Sequence, residues 1–304
     1  MAELIKNAIQ GVKDALNEEE FPSVLPPQHQ EQHPGIEAEM TPTPVYDREY
    51  YRGSGKLLNK SAIITGGDSG IGRSVAILFA KEGADVVISY VPAEQQDAEK
   101  VRDLVQSFGR RCVLYPGDLK DSSYCKQLVE KSIQEFGKLD ILVNNAAVQY
   151  MQEDIVNISD EQLDVTFRTN IYSQFYMCRA AIPHLKEGSS IICTTSVNAY
   201  HGHPKMLDYS STKGAIIAFV RSLAQQLYEK KIRVNAVAPG PIWTPFIPSS
   251  FPAAMTSVFG KEAPMGRPGQ PFECGTSYVF LASEDSTYFT GQCLHPNGGM
   301  IVNC

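Results

Sequence analysis

A doubly wound α/β fold with a parallel sheet is the architecture this sequence predicts, as a single domain with an N-terminal extension. Three observations predict it. From Lys60 onward, short and nearly continuous apolar runs alternate with longer amphipathic stretches. Strands buried on both faces of a parallel sheet read this way, with helices as their crossovers. Glycines cluster where the first apolar run passes into the first amphipathic stretch. Polar residues or glycines end the later runs, at the edge where an open parallel sheet places its ligands.

The elements follow in order. Residues 1–20 carry Leu4, Ile5, Ala8, Ile9, Val12, Ala15 and Leu16, one apolar stripe at helical spacing. From Phe21 to about Gly55 the chain is rich in Pro, Gln, His and Glu. Repeated prolines block both helix and central strand, so this stretch reads as an extended arm. Residues 1–56 therefore form the extension and 57–304 the single α/β domain. Within that domain "SAIIT", "DVVISY", "RCVLYP", "DILVNN", "SSIICTTS" and "IRVNAVAP" read as strands. The helical patterns between them include a long one over Asp160–Leu185 and another over Tyr209–Glu229. After Pro239 a long proline-rich segment holds the single tryptophan, Trp243, and reads as a lid over the substrate.

Composition narrows the function. The net charge of −7 argues against a nucleic-acid binder, which shows a basic face. No apolar run reaches the ~20 residues of a membrane span. The first twenty residues lack the core of a signal peptide and are too acidic for a transit peptide. Seven cysteines are scattered, odd in number and without a C-x-x-C pair, which reads as reduced thiols in a cytosolic protein. Cys193, in an apolar run, reads as core. The histidines make no ligand-spaced pair, so no metal site is expected.

The first strand leads into "TGGDSGIGR". Gly66, Gly70 and Gly72 allow a backbone to approach a pyrophosphate at a helix N-terminus, with Asp68, Ser69 and Ile71 between them. A tight turn alone could also be structural; its place after the first strand of a β-α-β series favours a nucleotide. The third strand ends at Asp118 and Leu119, the fourth at Asn145, Ala146 and Ala147, the fifth at Ser196, the sixth at Pro239 and Gly240. "YSSTK" then sets Tyr209 and Lys213 four apart, on one face of a helix.

"TGGDSGIG", "NNAA", Asn170, Ser196 and Tyr209-S-S-T-Lys213 together resemble the short-chain dehydrogenase/reductase family, in its single-domain branch with a Rossmann-type fold. The match spans residues 57–304, with Ala147 where the family usually has glycine. The arm resembles that of a subgroup of stress-associated oxidoreductases and sugar- or aldehyde-dehydrogenase-like homologues. The resemblance implies hydride transfer between a nicotinamide and a small aldehyde, ketone, sugar or polyol. It implies Asn170, Ser196, Tyr209 and Lys213 as catalytic residues, Asn170 holding a water that relays protons to Lys213. It places Asp118 at the adenine and Gly240, Ile242 and Thr244 at the nicotinamide end. A homotetramer is also implied, paired through the two long helical patterns.

Physical chemistry fits that reading. A free tyrosine has a pKa of about 10, and a neighbouring lysine cation would lower it. Ser196 would hold the substrate oxygen. Gln149, Tyr150, Tyr200, His201, His203 and Trp243 suggest a polar-aromatic pocket, with Gln149 and Trp243 as substrate contacts. A nucleotide-binding regulator without catalysis is the alternative, disfavoured by the intact Ser196, Tyr209 and Lys213. For the cofactor, the second strand ends at Ser89 and Tyr90 with no carboxylate, and Arg73 follows the glycine turn. NAD(P) use is expected, with a lean towards NADP(H).

Overall fold

The computed structural model describes residues 21–302; the helix expected over residues 1–20 lies outside them. Seven strands form one sheet among the described residues: β1 (Ser61–Thr65), β2 (Asp85–Tyr90), β3 (Cys112–Pro116), β4 (Ile141–Asn144), β5 (Ser190–Thr194), β6 (Arg233–Val237) and β7 (Cys293–Leu294). Their order is β3-β2-β1-β4-β5-β6-β7, with every pairing parallel. Every residue of β1, β2, β4 and β5 is buried, which is why these strands read as unbroken apolar runs.

The crossovers are α1 (Gly70–Lys81), α2 (Gln95–Ser107), α3 (Ser122–Phe136), α4 (Asp160–Phe167), α5 (Ser173–Ala181), α6 (Asn198–His201) and α7 (Leu207–Leu227); α8 (Ala253–Thr256) and α9 (Pro271–Ala282) follow β6. One core, built on Val75, Phe79, Val101, Tyr278 and Leu281, packs α1, α2 and α9 on one sheet face. A second, built on Leu128, Met177, Ile216 and Val220, packs α3, α5 and α7 on the other. The chain steps outward from β1 to β3, then returns to lay β4 on the far side of β1. That reversal opens a crevice above the carboxyl ends of β1 and β4, where ligands of such sheets bind.

Two elements depart from the sequence reading. The pattern over 160–185 is not one helix. A π-helical turn, Arg168–Tyr172, separates α4 from α5, and a 3-10 turn, Ile182–His184, ends the run. Asn170 lies inside the π turn and bonds both backbone groups of Val148, which draws that turn out of α-helical register. The seventh strand was not read at all, being two residues long and showing no period.

The arm follows the domain surface as an extended chain with one 3-10 turn, Glu37–Glu39. It is bonded to the segment after β6: Gln30 N donates to Pro248 O at 2.8 Å, and His29 Nδ1 lies 2.9 Å from Phe251 O. Leu25 and Met40 join Met206, Tyr209, Trp243, Ile247 and Phe251 in a third apolar cluster. Lid and arm are thus one packed layer over the crevice.

Candidate active site

The crevice holds a cavity of about 760 Å³. Its floor at one end is the glycine turn. Gly66, with φ of +61°, turns the chain out of β1 in a conformation that side-chain-bearing residues rarely adopt. Asp68, Ser69, Gly70 and Ile71 line the cavity beside it. Gly72 does not line it. A Cβ there would lie 1.8 Å from Gly66 O, so this glycine lets α1 sit against the turn rather than meeting a ligand directly. Asn145 Nδ2 donates to Thr65 O at 3.1 Å and to Gly66 O at 3.2 Å, tying the ends of β1 and β4 together.

Tyr90, Asp118 and Leu119 line one end of the cavity; Pro239, Gly240, Ile242 and Thr244 line the other. Asn145, Ala146 and Ala147 border it between them, as does Gln149, which is 3% exposed.

Tyr209 and Lys213 stand one turn apart on α7, both buried, with Lys213 Nζ 5.4 Å from the Tyr209 ring centroid. Lys213 Nζ donates to Thr194 O at 3.0 Å. Thr195 Oγ1 donates to Lys213 O at 2.7 Å, fixing the helix to the end of β5. Ser196 hydrogen-bonds Tyr209, and its Oγ accepts from Asn198 N at 3.1 Å. Burial pushes Lys213 down to about 7. Burial pushes Tyr209 up to about 12, against the Ser196 hydrogen bond. The expected lowering of Tyr209 by Lys213 is therefore corrected for the ligand-free chain: here the phenol is a neutral acid, able to donate a proton.

Three other expectations are corrected. Asn170 is fully buried and does not line the cavity. Its Oδ1 accepts from Val148 N and its Nδ2 donates to Val148 O, both at 2.8 Å, and Nδ2 also donates to Thr212 Oγ1 at 3.1 Å. Its backbone oxygen accepts from Gln174 Nε2 at 3.1 Å. It staples the segment after β4 to the helix carrying Lys213, so it positions rather than touches. Trp243 is fully buried outside the cavity lining, and its indole Nε1 donates to Pro42 O at 2.8 Å. It latches lid to arm. Tyr200 packs edge-on against His295, also outside the lining, whereas Tyr150, His201 and His203 line it.

At the β2 end, Arg73 is 4% exposed and faces inward. It pairs with Glu37 of the arm and with Asp97 at 3.4 Å, and its Nε donates to Asp68 O at 3.0 Å. It is not available to a phosphate. Glu37 Oε2 accepts from Gly70 N at 2.6 Å, so an arm carboxylate caps α1 from behind the cavity. Glu94 lines the cavity beyond Tyr90 and bonds Asp68. Burial, reinforced by Asp68, pushes Glu94 up to about 9. Sequence reasoning stopped at Tyr90 and missed Glu94, as it missed His33, Pro34 and Gly35 of the arm, which also line the cavity.

Among the described residues no group of His, Cys, Asp or Glu is placed to hold a metal ion, and no helix is long and apolar enough to cross a membrane. Cys193 is core, as expected, with burial pushing its thiol up to about 12.

Comparisons with known proteins agree with this geometry. The family model described as enoyl-(acyl carrier protein) reductase matches residues 66–301. The chain is 55% identical over 282 residues to general stress protein 39 of Bacillus subtilis, covering 93% of this chain and 98% of that one. It is 51% identical to glucose and ribitol dehydrogenase of Daucus carota, covering 92% and 98%. It is also 51% identical to NADPH-dependent aldehyde reductase 1, chloroplastic, of Arabidopsis thaliana, covering 91% and 98%. Among solved structures, a short chain dehydrogenase of Burkholderia cenocepacia in complex with NADP superposes with a TM-score of 0.75 at 28% identity, covering 80% of this chain and 98% of that one. A 3-ketoacyl-(acyl-carrier-protein) reductase of Brucella melitensis complexed with NADH gives 0.73 at 31%, covering 80% and 98%.

Proposed function

Because this chain belongs to the short-chain dehydrogenase/reductase family, we propose that it interconverts a small hydroxylated aldehyde or ketone with the corresponding polyol, Tyr209 moving the proton. It is an NAD(P)-dependent oxidoreductase. The observation that carries the reading is the buried set of Tyr209, Ser196 and Lys213 in the cavity that begins at the glycine turn. The turn fits a dinucleotide: Gly66, Ser69, Gly70 and Ile71 line the cavity at the N-terminus of α1, and the two glycines place no side chain there. Ser69, Tyr90, Asp118 and Leu119 would hold the adenosine half. Ala146, Lys213, Gly240, Ile242 and Thr244 would hold the other half.

A bound nicotinamide supplies or accepts the hydride at the carbinol carbon. Ser196 holds the substrate oxygen within reach of Tyr209. In reduction the Tyr209 hydroxyl gives its proton to that oxygen as the negative charge develops. In oxidation the phenolate takes it back, and a charged Lys213 favours the phenolate. Asn170 keeps the segment after β4 and the α7 helix in register for these contacts.

The lean towards NADP(H) is supported by the Arabidopsis relative's NADPH dependence and by the NADP-bound structural neighbour. A polyol or aldehyde substrate is supported by the Daucus and Arabidopsis relatives. A cytoplasmic location is supported by the six described cysteines, all free thiols. A homotetramer is supported by Leu163, Tyr172 and Phe175, large apolar side chains left exposed around α4 and α5. Residues 57–304 would be the catalytic domain, with 1–56 as its extension. A panel of aldehydes, ketones and polyols with both cofactors, followed at the nicotinamide absorbance, tests the reading. Turnover is expected with at least one small hydroxylated compound. No turnover with any would reject it.

A further inference from the structure

We propose that Lys120 recognises the 2′-phosphate of NADP(H) and so sets which nicotinamide cofactor this chain prefers. Lys120 lines the cavity at its adenosine end, with Tyr90, Asp118 and Leu119. Gly117 N donates to Tyr90 O at 2.8 Å, which joins the end of β3 to the end of β2. Asp118 Oδ1 accepts from Lys120 N at 2.9 Å, and Asp118 O accepts from Asp121 N at 3.1 Å. This turn carries Lys120 at the corner between the two strands, the place where such a sheet meets an adenosine ribose.

Charge decides among the candidates. A 2′-phosphate needs a cation as its partner. Among the described residues, Lys120 and Lys213 are the only lysines in the cavity lining, and no arginine lines it. Lys213 belongs to the reacting end, where its Nζ donates to Thr194 O at 3.0 Å. Arg73 is 4% exposed and committed to Glu37, Asp97 and the Asp68 carbonyl. Lys120 differs in both respects. Its side chain is 36% exposed, and its ammonium pairs with Asp118 Oδ2 at 3.4 Å, on a side chain that is itself 57% exposed. So loose a pair in water is worth little, and a phosphate can replace it at small cost.

The carboxyl groups at that end do not forbid the phosphate. Glu94 lies beyond Tyr90, near where sheets that select NAD place their acid. Burial, with Asp68 beside it, pushes Glu94 up to about 9, so it is uncharged at neutral pH. Asp68 is 1% exposed, and the nearby Arg73 offsets its charge. The assignment rests on the NAD(P)-dependent reading above, with its lean towards NADP(H), and deepens it by naming the side chain that discriminates.

The test uses the full-length protein and two cofactor fragments, 2′,5′-ADP and 5′-AMP, which differ only in the 2′-phosphate. Calorimetric titration of each at neutral pH and low salt gives the ratio of their affinities. Because no turnover enters the measurement, the outcome does not depend on finding the substrate. Wild type is expected to bind 2′,5′-ADP more tightly by about tenfold or more. Lys120→Gln should cut that ratio about tenfold. Lys120→Arg keeps the charge and should hold the ratio within about threefold of wild type. A ratio that Lys120→Gln leaves within about threefold of wild type, or that both variants cut alike, would overturn the proposal and leave the lean towards NADP(H) standing. A wild type that binds the two fragments equally, or binds neither, would reject that lean and the proposal with it.

Discussion

Tyr209 is a phenol that burial holds protonated, and its replacement is the most direct test of the chemistry. Tyr209→Phe should lower kcat by about 10²–10⁴-fold, the range for loss of a general acid, while cofactor affinity by fluorescence quenching changes little. Lys213→Ala should weaken both. Glu37 makes a second prediction. Burial raises its pKa from 4.5 to about 7. Its stabilising contribution is therefore complete below 4.5 and lost as pH rises through 7. Relative to Glu37→Gln, the wild type should lose up to about 3 kcal/mol of stability between pH 4.5 and 8, read from urea midpoints. A constant difference would reject it. The glycines, Ser196, Tyr209 and Lys213 were legible in the sequence because each motif is local. Glu37 and His33 were not, because the arm has no periodicity. Glu37 reaches Gly70, and His33 reaches Ser249, only through tertiary packing.

The lid was legible as an element, but its contacts were not. A lone tryptophan in a loop near the catalytic end reads equally as a substrate contact or as a latch, and only the bond to Pro42 O decides. Trp243→Phe should therefore cost about 2–4 kcal/mol of stability, because it removes the bond to Pro42 O and leaves a cavity where a fully buried ring stood, and leave KM for substrate nearly unchanged. A KM rise without a stability loss would restore the substrate-contact reading. Gly72 makes the converse case. Although it is not in the cavity lining, Gly72→Ala forces Gly66 O away from α1 and should raise KM for the cofactor at least tenfold. The strands β1, β2, β4 and β5 were readable from burial on both faces, and β3 and β6 from their short apolar runs between helical patterns. The break between α4 and α5 was not, since nothing in the apolar spacing marks a π turn; its cause is the bonding of Asn170 to Val148.

At the scale of the whole molecule, exposed apolar residues and the arm make the predictions. Phe175 is 53% exposed and packs at a tilt against Phe219 of α7, ring centroids 4.5 Å apart, joining the two helices that would meet a second copy. Light scattering should give a tetramer for wild type and a smaller species for Phe175→Glu. A wild-type monomer at micromolar concentration would reject the assembly. The arm also bears on how the molecule is made. His29 meets Phe251 across 222 positions of sequence. The arm leaves the ribosome well before the lid, so His33 has no lid surface to dock on until Ser249 is made, whereas Glu37 can meet Gly70 and Arg73 much earlier. A nascent or C-terminally truncated chain can already hold the glycine turn and the helix bearing Tyr209. It nevertheless lacks the wall that completes the cavity, so competence for catalysis arrives with the lid rather than with the catalytic residues themselves.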